Sequence, residues 1–228
     1  MADCNKCIVR ELNSLNVLTE DELVEISCHK ITMSFKKGEL LFEEGSHLNG
    51  VFCLRNGKCK VTKLSPNGKD QIVRFIKKGE LIGQRSVISD TSAHLSVTAL
   101  EDMEACYIPK AEIKKHFKNN QDFSLDITKT ICSDLDDANL AITNMAQKSV
   151  KERLADTLLD FEESFGTDVD GYLKIILTRE EIANAIGTAT ESSIRLLSQF
   201  KKEGLIELKG KKIKLLNKTK LKHITEGY

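Results

Sequence analysis

The sequence predicts an α+β protein with an N-terminal antiparallel β-roll, a long dimerisation helix and a C-terminal winged helix-turn-helix. Three observations support this prediction. Short apolar runs alternate with glycines over residues 31–109. Residues 110–148 are helical in pattern, and part of this stretch carries apolar residues at a strict four-three spacing. The last third contains two short helical segments that meet at one glycine and precede a hairpin pattern. We therefore predict three domains, at residues 1–117, 118–148 and 149–228.

Length and composition limit the class of protein. With 228 residues and 40% hydrophobic content, the chain can bury a sizeable core. No run approaches the ~18 apolar residues of a membrane span, and the N-terminal segment lacks the pattern of a signal peptide. We therefore expect a cytoplasmic protein without a membrane partner. The seven cysteines lack the spacing of a secreted scaffold, so most should be reduced. Because no catalytic constellation is present, we do not expect an enzyme.

The first 109 residues are predicted to be a short helical segment followed by a small barrel. Residues 8–30 are predicted to form one amphipathic helical stretch, in which Thr19 is an N-cap residue and Glu22 follows it by three positions. The clearest hairpin signal is the turn Ser-Pro-Asn-Gly at 65–68, because proline presets one dihedral and Asn67-Gly68 tolerates positive φ. Residues 58–64 and 71–76 should pair across that turn.

The helical segment that follows carries the pattern of a coiled coil. Apolar residues recur at four-three-four-three spacing, which is narrower than the stripe of a helix that lies on a globular core. A helix with such a seam requires a second copy, so we predict a homodimer. A helix packed only within its own chain is the alternative. The predicted dimer interface consists of Ile131, Leu135, Ala138, Ile142 and Met145.

Residues 178–202 are predicted to form a helix-turn-helix. In the first helix, Thr178 and Glu181 form a capping box, and Ile182, Ala183 and Ile186 share one face. Gly187 supplies the permissive backbone of a sharp turn. The second helix should be capped by Thr188 or Thr190, and its apolar positions should be Ile194, Leu197 and Phe200. A strand at 172–177 is expected before this unit, and a hairpin around Lys209 and Gly210 after it.

The polar face of the second helix and the basic hairpin suit double-stranded DNA. Residues 195–222 contain ten Lys/Arg and two Asp/Glu, a net charge of +8 in a chain with 34 of each. Arginine can donate to guanine O6 and N7, and a carboxylate can accept from cytosine N4–H. Glu191 and Arg195 lie one turn apart, so their side chains can also brace each other. The alternative is a solvated face with an ordinary ion pair. The predicted DNA-binding residues are Thr178, Thr188, Thr190, Glu191, Ser192, Arg195, Lys209, Lys211 and Lys212.

Four stretches resemble the CRP/FNR family of bacterial transcription regulators, and the resemblance covers essentially the whole chain. They are GELLFEEG at 38–45, GELIGQ at 79–84, VKERLADTLL at 150–159 and the segment 178–206 that begins TREEIANAIG. The resemblance implies a cyclic-nucleotide-binding-like roll that senses a small-molecule or redox signal. It also implies a homodimer that reads an inverted repeat, and contact with RNA polymerase. A sensor module that acts by protein contact is the alternative function.

The effector site departs from the family pattern. The resemblance places it at Gly83, Gln84, Arg85, Ser86, Ala93, His94, Ala138 and Asn139. The family's ribose-binding Glu is replaced by Gln84, and no arginine stands at the phosphate position in 92–95. We therefore do not expect cyclic AMP to bind in the usual way, and the small-molecule effector and any cofactor remain unidentified.

The cysteines resemble the iron-sulfur ligands of FNR-type sensors in part. Cys4, Cys7 and Cys106 match three of the four positions, whereas the remaining position is Asn13. A cubane cluster needs four ligands, normally thiolates. Three interpretations stay open: an iron-sulfur cluster, a thiol switch or zinc site, and unliganded cysteines.

Overall fold

The computed structural model describes Cys4 and residues 7–66 and 68–227. Asn67 of the predicted hairpin turn therefore lies outside the described residues. The chain divides into two compact units, Met1–Lys63 with Phe75–Asp137 and Leu64–Arg74 with Ala138–Tyr228. Among the described residues, no helix is both long enough and apolar enough to cross a membrane.

The N-terminal segment is a pair of 3-10 turns and one α-helix, so the single helical stretch predicted for residues 8–30 is wrong in its first half. The turns span Ile8–Leu12 and Ser14–Val17, and helix α1 spans Glu20–His29. The break falls at Asn13, whose side-chain amide donates to the carbonyl oxygen of Gly79 at 2.7 Å. Because this contact ties the segment to the chain some 66 residues away, the helix cannot run through it.

Helix α1 begins where the capping pattern predicts. The Thr19 side chain accepts from the backbone of Glu22, and the Glu22 carboxylate accepts from the backbone N–H of Thr19 at 2.8 Å. Leu23 and Ile26 are fully buried, whereas Val24 is 49% exposed. Helix α1 therefore packs on the roll through Leu23 and Ile26.

Eight strands form the β-roll. They are β1 (Ile31–Phe35), β2 (Leu40–Phe42), β3 (Gly50–Asn56), β4 (Cys59–Leu64), β5 (Asp70–Ile76), β6 (Leu81–Ile82), β7 (Ser96–Ala99) and β8 (Met103–Pro109), with helix α2 (Gln84–Ser89) between β6 and β7. Two four-stranded sheets result, with the orders β1-β8-β3-β6 and β2-β7-β4-β5. The predicted pairing on either side of the 65–68 turn is confirmed, because β4 and β5 are neighbours.

The interior of the roll is an apolar cluster to which both sheets contribute. Phe52 lies at its centre and contacts three rings. Ring centroids are 6.1 Å apart to Phe35, 6.2 Å to Phe42 and 5.2 Å to Tyr107. Aromatic pairs at these separations add about 0.5–1.5 kcal/mol each beyond the burial of their area. The roll is therefore held by this aromatic cluster as well as by strand pairing.

Two helices occupy the stretch that was predicted to be helical, residues 110–148. Helix α3 spans Lys110–Asn119 and helix α4 spans Gln121–Gln147. Asn120 separates them, since its backbone is extended and its side-chain oxygen accepts from the N–H of Phe123 at 2.9 Å. The side chain thus caps α4 while the backbone ends α3.

The predicted seam of α4 is largely exposed in the single chain. Leu135 is 60% exposed, Ile142 68% and Met145 39%, and Ala138 is exposed as well. Ile131, nearer the start of the helix, is half-buried against the core below the roll. A helix that pairs with a second copy exposes such an apolar stripe when the chain is considered alone.

The second unit contains the remaining elements. They are α5 (Val150–Phe165), α6 (Arg179–Ile186), α7 (Thr190–Lys202), β9 (Ile206–Lys209), β10 (Lys212–Leu215) and α8 (Lys218–Thr225). The sequence analysis did not predict α8, which packs on α5 and buries Leu221. The strand predicted at 172–177 is wrong, because Tyr172 and Leu173 form only isolated bridges. Leu173 N–H donates to the carbonyl of Ile213 at 2.8 Å, so this segment lines the edge of the β9-β10 hairpin.

Replacing Ile142 with Asp should convert the dimer to a monomer, because the change places a carboxylate in the apolar seam. Sedimentation velocity measures the mass. Leu140→Asp is the matched control, since Leu140 is 60% exposed and lies on the face of α4 opposite the seam. A dimer that survives Ile142→Asp, or that both changes abolish equally, would rule out the seam as the interface.

Candidate nucleic-acid interface and sensory site

Helices α6 and α7 pack against each other across a turn fixed at both ends. Thr178 and Glu181 form the predicted capping box, with the Glu181 N–H donating to the Thr178 hydroxyl at 3.1 Å. Gly187 ends α6 in the left-handed conformation at φ 64°, which a residue with a Cβ adopts only under strain. The turn between the helices therefore depends on this glycine.

The start and the inner face of α7 differ from the prediction. Its N-cap is Ala189, which forms no side-chain cap bond, so the predicted capping by Thr188 or Thr190 is wrong. Ile194 is 45% exposed, and the inner positions are Ser193, Leu197 and Phe200. The residues of α7 that face the interior are therefore 193, 197 and 200, spaced by about one helical turn, and residue 194 faces outward.

The outer face of α7 presents the predicted reading residues. Glu191 and Arg195 are exposed, and Thr190 and Ser192 are half-buried. The Arg195 guanidinium donates to the Ser192 hydroxyl at 3.3 Å. Over the part of the chain that the structure describes, no ion pair joins Arg195 to Glu191, so Ser192 is the residue that braces it. The arginine fork thus stays exposed on the helix surface, where it can donate to a base edge.

The hairpin after α7 forms the predicted wing. Strands β9 and β10 pair in register with Lys209 opposite Lys212, and Gly210 in the turn has φ 60°. Lys209 and Lys211 are exposed at the tip. Lys212 is engaged elsewhere, because its ammonium contacts Asp168 Oδ2 at 2.9 Å and holds the pKa of that carboxyl below its usual value. The two tip lysines are therefore the better phosphate-binding candidates.

Two threonines of the predicted set serve the scaffold. The hydroxyl of Thr178 is used in the capping box of α6. Thr188 is half-buried in the turn, and its backbone N–H donates to the carbonyl of Ala183 at 3.0 Å.

Arg179 belongs to this site although the sequence analysis did not select it. Its guanidinium donates to the carbonyl oxygen of Gly210 at 2.9 Å, and burial lowers its pKa. This contact fixes the wing turn to the first turn of α6. No local signal in the sequence identifies it, because an arginine in the first turn of a helix ordinarily faces water.

The predicted effector residues divide between the two units. In the first unit, Gly83 caps α2 at φ 92°, and Gln84, Ser86 and Ala93 are buried. The Ser86 hydroxyl donates to the carbonyl of Ser92 at 3.4 Å, so α2 and the 92–95 loop are in contact. Arg85 and His94, in contrast to these three residues, are exposed. Ala138 and Asn139 are exposed on α4, in the second unit.

Lys63 also reaches the 92–95 loop. Its ammonium donates to the carbonyl oxygen of His94 at 3.2 Å and pairs with the Glu44 carboxylate. The sequence analysis did not select Lys63, because its place depends on the pairing of β4 with β7. Since Glu44 compensates its charge, Lys63 does not replace the family's phosphate-binding arginine.

Four thiols meet below the roll. Cys4, Cys53 and Cys106 are buried in one cluster, and Cys7 packs against it. Cys53 and Cys106 are direct partners across β3 and β8. Burial, followed by the proximity of the other thiols, raises the pKa of Cys53 to about 12. Cys53 was missed because only the strand pairing brings it to the other three.

Asn13 and Lys30 complete the surroundings of these thiols. The Asn13 side-chain amide lies 3.5 Å from Cys53 Sγ. Asn13, which replaces the fourth cysteine of the family pattern, therefore contacts a thiol on β3. The ammonium of Lys30, which is only 7% exposed, donates to Cys4 Sγ at 2.8 Å. Cys28, by contrast, is exposed.

Comparisons with known proteins match both halves of the chain. Residues 32–120 match the model of the cyclic nucleotide-binding domain, and residues 152–224 match that of the Crp-like helix-turn-helix domain. The chain is 28% identical to the transcriptional activator protein Anr of Pseudomonas protegens, over 99% of this chain and 93% of that protein. It is 26% identical to the fumarate and nitrate reduction regulatory protein of Vibrio cholerae, over 96% and 88%. A crystal structure of a putative crp/fnr-family regulator from Eubacterium rectale superimposes with a TM-score of 0.77 at 23% identity, over 92% of this chain and 96% of that one.

Alkylation of the native protein should separate the buried thiols from the exposed ones. With a pKa of about 12, Cys53 is ionised in about one molecule in 10⁵ at pH 7, whereas Cys28 and Cys132 are exposed. Iodoacetamide followed by peptide mass spectrometry should therefore label Cys28 and Cys132 first. The urea-unfolded protein is the control, in which all the thiols should react alike. Equal labelling of Cys53 and Cys132 in the folded protein would contradict the assigned burial.

Proposed function

The chain belongs to the CRP/FNR family of DNA-binding transcription regulators, and we propose that α7 reads base edges while the wing holds phosphates. The observation that carries this proposal is the exposed Arg195, braced by Ser192 on the outer face of α7. In helix-turn-helix proteins the second helix enters the major groove, and arginine there donates to guanine O6 and N7.

The two kinds of contact should differ in what they recognise. Glu191 and Arg195 offer an acceptor for cytosine N4–H and a donor fork for guanine, which are contacts that distinguish bases. Lys209 and Lys211 at the wing tip offer point charges, which bind phosphate without regard to sequence. A two-fold dimer through α4 would present two copies of α7, and such dimers read inverted repeats.

We further propose that the dimer contacts RNA polymerase and acts in the cytoplasm. The proposal rests on relatives that are named transcriptional activators. Whether the contact activates or represses transcription depends on where the operator lies relative to the promoter.

The signal, we propose, is not a cyclic nucleotide bound in the family's usual way. A neutral Gln84 replaces the carboxylate that accepts two ribose hydroxyls, and residues 92–95 contain no arginine for the phosphate. Loss of a charge-assisted contact costs about 1.5–3 kcal/mol. That loss is about a tenfold to hundredfold change in affinity.

The signal is received, we propose, at the four thiols below the roll. Cys4, Cys7, Cys53 and Cys106 supply the number and type of ligands that a cubane iron-sulfur cluster takes, and three of them are buried. A cluster held there would supply redox chemistry. Without a cluster, the same thiols can respond by oxidation. Both responses need these cysteines and neither needs a nucleotide.

Arg195→Ala should cost about 1–3 kcal/mol per half-site and relax the preference at one base pair. Lys211→Ala is the matched contrast, since it should weaken binding to all sequences alike and reduce the salt slope by about one unit. Selection of binding sites from a random library, followed by salt titration on the selected operator, measures both effects. Identical base preferences for wild type and Arg195→Ala would mean that α7 is not the reading helix.

The thiol proposal predicts that operator affinity changes with oxidation state and not with cyclic AMP. The operator affinity of wild-type protein purified without oxygen should change at least about tenfold, in either direction, on exposure to air. Typical coupling free energies between two sites correspond to changes of this size. Cys53→Ser should abolish the change, whereas Cys132→Ser, at an exposed position, should leave it intact. Metal and sulfide analysis of the anaerobic protein separates a cluster from thiol oxidation. A Cys53→Ser protein that responds as wild type, or a wild type that responds to cyclic AMP alone, would refute the proposal.

A further inference from the structure

A second group of titratable side chains lies between α1 and α3, apart from the thiols and from the DNA-reading helix. Glu22, Glu25 and His29 follow each other at intervals of three and four on α1, so they share one face. Glu112 and His116 are one turn apart on α3. All five belong to the first compact unit.

His116 is at the centre of this group. It is only 2% exposed, and its Nε2 lies 3.8 Å from Glu25 Oε2 and 3.7 Å from Glu112 Oε2. Nε2 is buried and forms no hydrogen bond, and the same is true of Glu112 Oε2. One ligand atom from each of Glu25, Glu112 and His116 lies within 4.8 Å of the other two. Buried polar atoms without a hydrogen bond are rare and require an explanation.

The spacing of these atoms suits a metal ion better than direct contact. A hydrogen bond would bring nitrogen and oxygen to about 2.7–3.2 Å. Two ligands bound at about 2.0–2.2 Å to one tetrahedral ion lie about 3.4 Å apart. The separations of 3.7 and 3.8 Å are closer to the second value. The three atoms are therefore close enough for small side-chain movements to bring them to one ion.

The other atoms of these side chains are held by neighbours, as the ligands of a metal are. Glu25 Oε1 accepts from the Lys115 ammonium, and Glu112 Oε1 lies 3.0 Å from His29 Nδ1. Glu22 Oε1 lies 3.6 Å from His116 Nδ1. Glu22 therefore lies on the side of the imidazole away from Glu25 and Glu112, where outer partners of metal-binding histidines are found.

The charges favour a divalent cation. Three carboxylates face the imidazole, and Lys115 supplies one compensating charge, so a dication would neutralise the group when both histidines are neutral. An alternative is a protonated His116 paired directly with the carboxylates. That arrangement would be expected to give at least one short, charge-assisted hydrogen bond from Nε2, and Nε2 has none.

We propose that Glu25, Glu112 and His116 bind a divalent transition-metal ion, with His29 as the partner that holds the other oxygen of Glu112. Mixed carboxylate and imidazole ligands select ions such as Zn²⁺, Co²⁺ or Fe²⁺ over Mg²⁺, which takes oxygen ligands. The ion would clamp α1 to α3. Helix α1 also anchors the thiol site, because Ser27 Oγ accepts from the N–H of Cys4 at 2.9 Å. At the other end, Asn120 donates to Glu22 Oε2 at 2.9 Å where α4 begins.

Cobalt titration of the full chain tests this site and distinguishes it from the thiols. The reduced protein is stripped with a chelator, and Co²⁺ binding is followed by absorbance. Co²⁺ at this site should give d–d bands of its own, whereas any Co²⁺ at the thiols is recognised separately by thiolate-to-cobalt charge-transfer absorption. Glu25→Gln and Glu112→Gln should each weaken binding at least about tenfold, the loss that even an outer partner causes. Both changes keep the size and shape of the side chain, which is 33% exposed in Glu25 and 12% in Glu112, so the fold should remain intact, which circular dichroism checks.

Two controls complete the test. Glu20→Gln removes an exposed carboxylate from the first turn of α1, and Cys4→Ser removes a thiol. Both should bind Co²⁺ as the wild type does. Absence of saturable binding would overturn the proposal and assign His116 to an ion pair. Binding that shows thiolate charge transfer alone, or that survives Glu112→Gln unchanged, would overturn it as well.

Discussion

The apolar seam of α4 is the feature on which the proposed mechanism of DNA reading depends. Leu135 and Ile142 are more than half exposed in the separate chain. Full burial of each such side chain contributes about 1.5–3 kcal/mol. In the proposed dimer, a second copy would supply that burial along the seam. Its two-fold symmetry would duplicate α7 and the wing, so the geometry of DNA reading would be a consequence of helix packing.

Within each copy, small local devices position the groups that act. The capping box at Thr178 and the left-handed Gly187 fix where α6 starts and ends, and Arg179 ties the wing to α6. In the first unit, α1 has the same role toward the sensory side. It holds Cys4 through Ser27 and carries Glu25 toward His116. One helix therefore connects the thiols with the proposed metal site.

The sequence predicts those parts of the fold that local chemistry determines. The capping boxes at Thr19 and Thr178, the β4-β5 hairpin, the α4 seam and the wing all have short-range signals, and each is present. The errors arise where contacts between residues far apart in the sequence determine the local structure. Asn13 breaks the first helix because it bonds to Gly79. In the sites, Cys53 and His116 were missed for the same reason, since strand pairing and helix packing bring their partners to them.

The central claim is that a two-fold dimer places two α7 helices on successive major grooves of one DNA face. Operator affinity as a function of half-site spacing tests it most directly. Starting from the operator that the wild type selects, insertion of about five base pairs between the half-sites rotates one of them by half a helical turn. The account predicts that affinity falls to that of a single half-site and recovers in part when about ten base pairs are inserted. Equal affinity at all three spacings would contradict it, because it would mean that the two reading helices are not held by one rigid dimer.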